Sequence, residues 1–124
     1  WTFSENQTIE GYWGSIQENQ KGLIENMSKL HNLLEKNNIN MSLVVYPWPQ
    51  QLEKDKVDSV HVKMWKDFCL KRCKNFIDLF PILFKEKNDK GFLKTYKKYY
   101  FWNDIHFNEE GNKLIAKELI KNLK

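Results

Sequence analysis

Met41-Ser42-Leu43-Val44-Val45-Tyr46, closed by Pro47-Trp48-Pro49, is short, rich in β-branched residues and almost continuously apolar. That is the pattern of a strand buried on both faces. Pro47 and Pro49 end it, because each lacks the N–H that a ladder needs. Upstream, Ser15-Ile16-Gln17-Glu18 fits a capping box. Ile16, Leu23, Ile24, Met27, Leu30 and Leu34 then recur at three- and four-residue steps, one apolar stripe on a helix running to about Lys36. Asn37 and Asn38 suit its C-terminal end. Residues 1–14 show no period and read as an irregular lead-in.

Downstream, Asp58 and Ser59 are placed to cap a second helix that carries Val60, Met64, Trp65 and Phe68 inward. Asn75-Phe76-Ile77-Asp78-Leu79-Phe80 reads as a second short strand, ended by Pro81. A less regular stretch from 82 to 102 holds a short helix around Phe92 to Tyr99. The last helix begins near Asn108, buries Leu114, Ile115, Leu119 and Ile120, and reaches Leu123. Helices alternating with short strands predict an α/β fold with a parallel sheet. Two strands alone would each keep an unpaired edge. The chain also starts at Trp1 rather than Met. We therefore expect residues 1–124 to be the C-terminal part of a single domain, with the missing strands upstream.

The length of 124 residues suits one domain, and 15% aromatic residues supply a packed core. No apolar run approaches a membrane span. No glycine-rich phosphate loop occurs. Nineteen of the 20 basic residues are Lys, whereas readers of nucleic acid lean on Arg. The net charge of +4 is uneven, and Lys94, Lys97 and Lys98 lie among Tyr96, Tyr99, Tyr100, Phe101 and Trp102. Such a stretch could stack single-stranded nucleic acid or meet an acidic partner. The simpler reading is a solvated Lys surface beside aromatics that face a core.

Asn103-Asp104-Ile105-His106-Phe107-Asn108 precedes the last helix. Residues two apart in an extended segment point the same way, so Asp104 and His106 can face one space. A carboxylate that accepts from one imidazole nitrogen fixes the tautomer and frees the other nitrogen to take a proton. The alternative is a structural histidine satisfied by a backbone carbonyl.

The run from Asp104 to Ala116, D-x-H-F-N-x-x-G-N-K-L-I-A, resembles the last block of the SGNH (GDSL-type) esterases and acyl-hydrolases. Val44-Val45-Tyr46-Pro47-Trp48-Pro49 and Phe76-Ile77-Asp78-Leu79-Phe80-Pro81 look like the last two strands of a bacterial branch of that family. The resemblance implies a three-layer α/β/α fold with a parallel sheet, here incomplete. It implies that Asp104 and His106 are catalytic and that Asn108 opens the helix beside them. The spacing D-x-H departs from the commoner D-x-x-H and matches the branch that handles acylated polysaccharides. The family's nucleophilic Ser belongs to an N-terminal G-D-S block, and its oxyanion Gly and Asn to two middle blocks. None of these is in this sequence: Ser4, Ser15, Ser28, Ser42 and Ser59 all lie outside such a context.

Several other residues could bear chemistry. Cys69 and Cys73, four apart, read as buried free thiols, since a disulfide across a helical turn has poor geometry unless the helix ends between them. With His61 they would still lack a fourth zinc ligand. His31, among leucines, reads as structural. Asn6, Asn26 and Asn40 head glycosylation sequons that an Asn-rich chain produces by coincidence. Trp48 and Gln51, on the loop leaving the first strand's carboxyl end, could line a substrate wall.

The expected function is that of an SGNH-type serine esterase, O-acyl hydrolase or acyltransferase acting on an acyl ester, including acylated carbohydrate. It would need no metal or organic cofactor and no nucleic acid. The N-terminal half of the same protein would complete the fold, leaving the isolated chain inactive. The alternative is a basic, aromatic-rich binding module without catalysis.

Overall fold

A computed structural model describes residues 16–123. The order is α1 (Ile16–Lys36), β1 (Ser42–Val45), α2 (Pro49–Lys54), α3 (Val60–Cys69), β2 (Asn75–Asp78), α4 (Phe80–Lys90), α5 (Phe92–Tyr99) and α6 (Glu109–Asn122). The fold is mixed α/β and mostly helical, around a small parallel sheet. β1 and β2 pair in parallel, Ser42 opposite Asn75 and Val45 opposite Asp78. The crossover between them contains α2 and α3. The irregular lead-in and the Ser15 capping box lie outside the described residues.

The core forms where α3 packs on both strands, α6 on β2, and α4 on α2 and α5. Val45, Leu52, Val62, Trp65, Phe68, Phe80, Leu83, Phe84, Tyr99 and Tyr100 are buried there. Ser59 caps α3 by accepting from the Val62 N–H at 3.3 Å, which satisfies one of the free amides of a helix start. Along α3 the buried positions are Val62, Trp65, Phe68 and Cys69, while Val60 and Met64 are half-buried. β1 is less enclosed than its composition suggests: Val45 is buried, Leu43 and Val44 only half so, and Ser42 is exposed.

Several expectations are corrected. The second strand stops at Asp78, two residues early, and Phe80 already belongs to α4. Pro81 does not merely end a strand. At the first turn of a helix its missing N–H costs nothing and its fixed φ helps, so it starts α4. Phe80, Leu83 and Phe84 are the buried stripe of that helix, which occupies much of the stretch read as irregular. The segment from Pro47 to Leu52 is likewise not all loop, because Pro49 opens α2.

Cys69 and Cys73 are not free thiols but a disulfide, with Cα atoms 4.7 Å apart. α3 ends at Cys69, and the turn that follows supplies the geometry a continuous helix would deny. On α6, Leu114 and Ile115 pack against the core, but Ile120 is 70% exposed and Leu123 is exposed as well. None of the described helices is long and apolar enough to cross a membrane.

Candidate active site

The segment between α5 and α6 doubles back on itself. Tyr100 and Phe107 form an antiparallel bridge. The Phe101 N–H donates to the His106 carbonyl and the Asn108 N–H to the Tyr99 carbonyl, each at 3.0 Å. The rings of Tyr100 and Phe107 stack with centroids 4.5 Å apart, and both are buried. Asn103 sits at the tip with φ of 59°, a left-handed conformation that Asn tolerates better than most side chains.

Asn108 secures the hairpin to α6. Its Oδ1 accepts from the Gly111 N–H at 3.1 Å, and its Nδ2 donates to the carbonyls of Lys98 and Tyr100, both at 3.1 Å. It is a helix cap and a strap across the hairpin's base. Gly111 is where α6 presses closest: a Cβ there would lie 2.2 Å from the Tyr99 carbonyl oxygen and 2.5 Å from Phe107 Cδ1. The Asn-x-x-Gly spacing therefore has a steric reason as well as a capping one.

On this hairpin Asp104 and His106 meet. His106 Nδ1 donates to Asp104 Oδ1 at 2.7 Å. The same oxygen accepts from the backbone N–H of Ile105 at 2.6 Å and of His106 at 3.2 Å. These bonds, the His106 side chain's first, hold the Asp104 carboxyl below the ordinary aspartate range. A carboxylate whose folded pKa is depressed adds stability above its unfolded pKa, and that contribution is lost as pH falls through the folded value. The pair stands open, with the Asp104 side chain 48% and the His106 side chain 75% exposed. With Nδ1 engaged, Nε2 is the nitrogen left to exchange a proton.

Tyr96, expected only as one of the aromatics facing the core, also holds the turn. The Tyr96 hydroxyl donates to the Asp104 carbonyl at 3.1 Å and accepts from the Asp104 N–H at 3.0 Å. Both main-chain polar groups of Asp104 are thereby tied to α5. Its neighbour Tyr100 reaches further, donating its hydroxyl to the Pro47 carbonyl at 2.6 Å in a buried contact. Tyr46 packs on Phe107 with ring centroids 5.0 Å apart. The Asp104–His106 hairpin thus sits at the carboxyl end of β1, where parallel sheets place their ligands.

Trp48 and Gln51 belong to the same end of the strand. Trp48 is half-buried. The Gln51 side chain is buried and turns back, its Oε1 accepting from the Trp48 N–H at 3.1 Å. The described serines have structural duties. Ser28 Oγ donates to the Ile24 carbonyl, Ser59 caps α3, and Ser42 Oγ accepts from Asn75 Nδ2 at the opposite end of β1. His31 lines a cavity near the strands' amino ends with Lys71 and Cys73. His61 lies against Trp65 and Phe80. No protein family, curated protein or solved structure matches the chain.

Proposed function

We propose that this chain carries the general base and its orienting acid for a serine esterase or O-acyl transferase of the SGNH type. In this reading an upstream segment adds strands to the β1–β2 pair, completes a three-layer domain and brings the nucleophilic Ser and the oxyanion donors. The observation that carries it is the 2.7 Å Nδ1–Oδ1 bond on an open imidazole, on a hairpin fastened to the carboxyl end of β1. The Ser hydroxyl attacks the acyl carbonyl as His106 Nε2 accepts its proton. The tetrahedral intermediate then collapses, and His106 returns the proton to the leaving alcohol. Water or an acceptor alcohol, deprotonated by the same nitrogen, releases the acyl group. Asp104 stays ionised throughout, stabilising the imidazolium and holding its tautomer.

The binding-module reading has less support. The Lys97 ammonium lies 4.8 Å from the Trp102 ring centroid and that of Lys98 4.6 Å from that of Tyr99. Within the chain these cations and rings already answer one another.

The test is hydrolysis of p-nitrophenyl acetate by the intact protein. His106→Ala is expected to lower kcat by on the order of 10⁴-fold or more, and Asp104→Asn by about 10⁴-fold. KM should change little, because neither side chain is asked to hold the ground state. Wild-type turnover in His106→Ala would refute the assignment.

A further inference from the structure

The end of the sheet away from His106 carries a second concentration of charge. The Cys69–Cys73 disulfide closes the turn between α3 and β2, and main-chain bonds brace it. The Cys73 N–H donates to the Cys69 carbonyl at 3.1 Å, and the Lys74 N–H to the Met41 carbonyl at 2.7 Å. From this turn Lys71, Arg72 and Lys74 line a cavity of about 490 Å³, which His31 and Glu35 of α1 line as well. Arg72 is the one arginine in the chain, and its guanidinium is held in place. Nη1 donates to the Phe68 carbonyl at 3.3 Å, and Cζ lies 4.9 Å from the centroid of the Phe68 ring. That leaves the other donors of the fork for a ligand. Among the described residues no carboxylate forms an ion pair with Lys71, Arg72 or Lys74.

Lysines scattered over a surface are solvated and call for no partner. Here three cations within four positions of a cross-linked turn line one concavity. They repel one another, and a concave wall concentrates their field on whatever enters. Among the described residues Glu35 is the one carboxylate in the lining. Three cations less one carboxylate leave a formal balance of +2, the complement of a dianion. We propose that this cavity binds the phosphate of a small phosphate monoester. Arg72 takes two phosphate oxygens in its planar fork, and Lys71 and Lys74 supply the rest of the charge. Asn38 and Asn40, also in the lining, offer amides to the polar body of the molecule. The volume lies in the range of small-molecule sites, with room for the organic part as well as the phosphate. Nothing in this assignment depends on the role of His106.

The experiment is isothermal titration calorimetry of the intact protein with glucose 6-phosphate and glycerol 3-phosphate. Glucose and inorganic phosphate are the controls. At least one ester should bind saturably with a Kd on the order of 1 mM or tighter. Inorganic phosphate should bind more weakly, and glucose not at all. Arg72→Gln should weaken the ester about ten-fold or more, through loss of a charge-assisted pair. That variant also gives up the contact with Phe68. Lys71→Gln combined with Lys74→Gln keeps that contact and should still weaken binding about five-fold. Reduction with dithiothreitol should weaken it too, because it unties the turn that groups the three cations. Wild-type protein that binds neither ester, or binds them no more tightly than inorganic phosphate or glucose, overturns the site. So does an affinity unmoved in both sets of variants. Affinity that survives complete reduction overturns the part given to the disulfide.

Discussion

Between Phe92 and Asn112 side chain after side chain reaches a partner close by: Tyr96 holds Asp104, Asn108 straps Lys98 and Tyr100, and Gly111 lets α6 touch Tyr99. On α1 the situation is reversed. Leu23, Leu30 and Leu33 stand exposed, while Ile24, Met27 and Leu34 lean on the core. The far end of α6 shares that character through Ile120. One region is organised by contacts within the chain, and the other carries apolar surface for which the described residues provide no cover. The Asp104–His106 hairpin is therefore held tightly on a scaffold whose outer helices carry exposed apolar side chains.

The strongest challenge to that contrast is Gly111→Ala. The added methyl would meet a backbone carbonyl that cannot swing aside. Overpacking of this kind costs typically 1–3 kcal/mol, so the melting temperature should fall by on the order of 10 °C. An unchanged melt would mean that the contact between α6 and Tyr99 is looser than described. Tyr96→Phe is the next in size. It leaves the ring stack on Phe92 but strips the hydroxyl from both main-chain groups of Asp104, a loss of about 1–2 kcal/mol in urea unfolding. In the intact protein kcat should fall about ten-fold, as a loosened turn misplaces the imidazole. A variant with normal kcat would show that Asp104 and His106 hold their turn unaided.

The smallest effect belongs to the other region. Leu33→Lys should change stability by no more than about 0.5 kcal/mol. Residues 1–124 alone are expected to self-associate through their apolar faces and open strand edges, and the substitution should weaken that association in sedimentation velocity. A loss above 2 kcal/mol would instead place Leu33 in a packed interface.

What could be read in advance follows the range of the contacts involved. Asp104, His106, Asn108 and Gly111 span eight positions and interact through periodicity and capping, so their arrangement is visible as a pattern of letters. The parallel pairing of the two apolar runs was legible for the same reason. The Tyr96 clamp was not, because nothing in a Lys- and Tyr-rich stretch says which hydroxyl will face a turn eight residues on. Tyr100 and Pro47, 53 residues apart, were further out of reach still. α4 and the disulfide were missed through a different ambiguity. Proline both ends strands and starts helices, and a cysteine pair four apart means one thing inside a helix and another at its end. In each case the location of a helix boundary decided the chemistry.

The Cys69–Cys73 bond joins cysteines only four positions apart. A cross-link so local removes little freedom from the unfolded chain, about 2 kcal/mol by loop-closure entropy. It acts as a stitch at the seam between α3 and β2, not as a brace for the whole fold. Reductant should loosen residues 70–74 while the hairpin, held by hydrogen bonds and stacked rings, keeps its shape. The disulfide near the amino end of the sheet and the Asp104–His106 pair at its carboxyl end thus stand on separate supports.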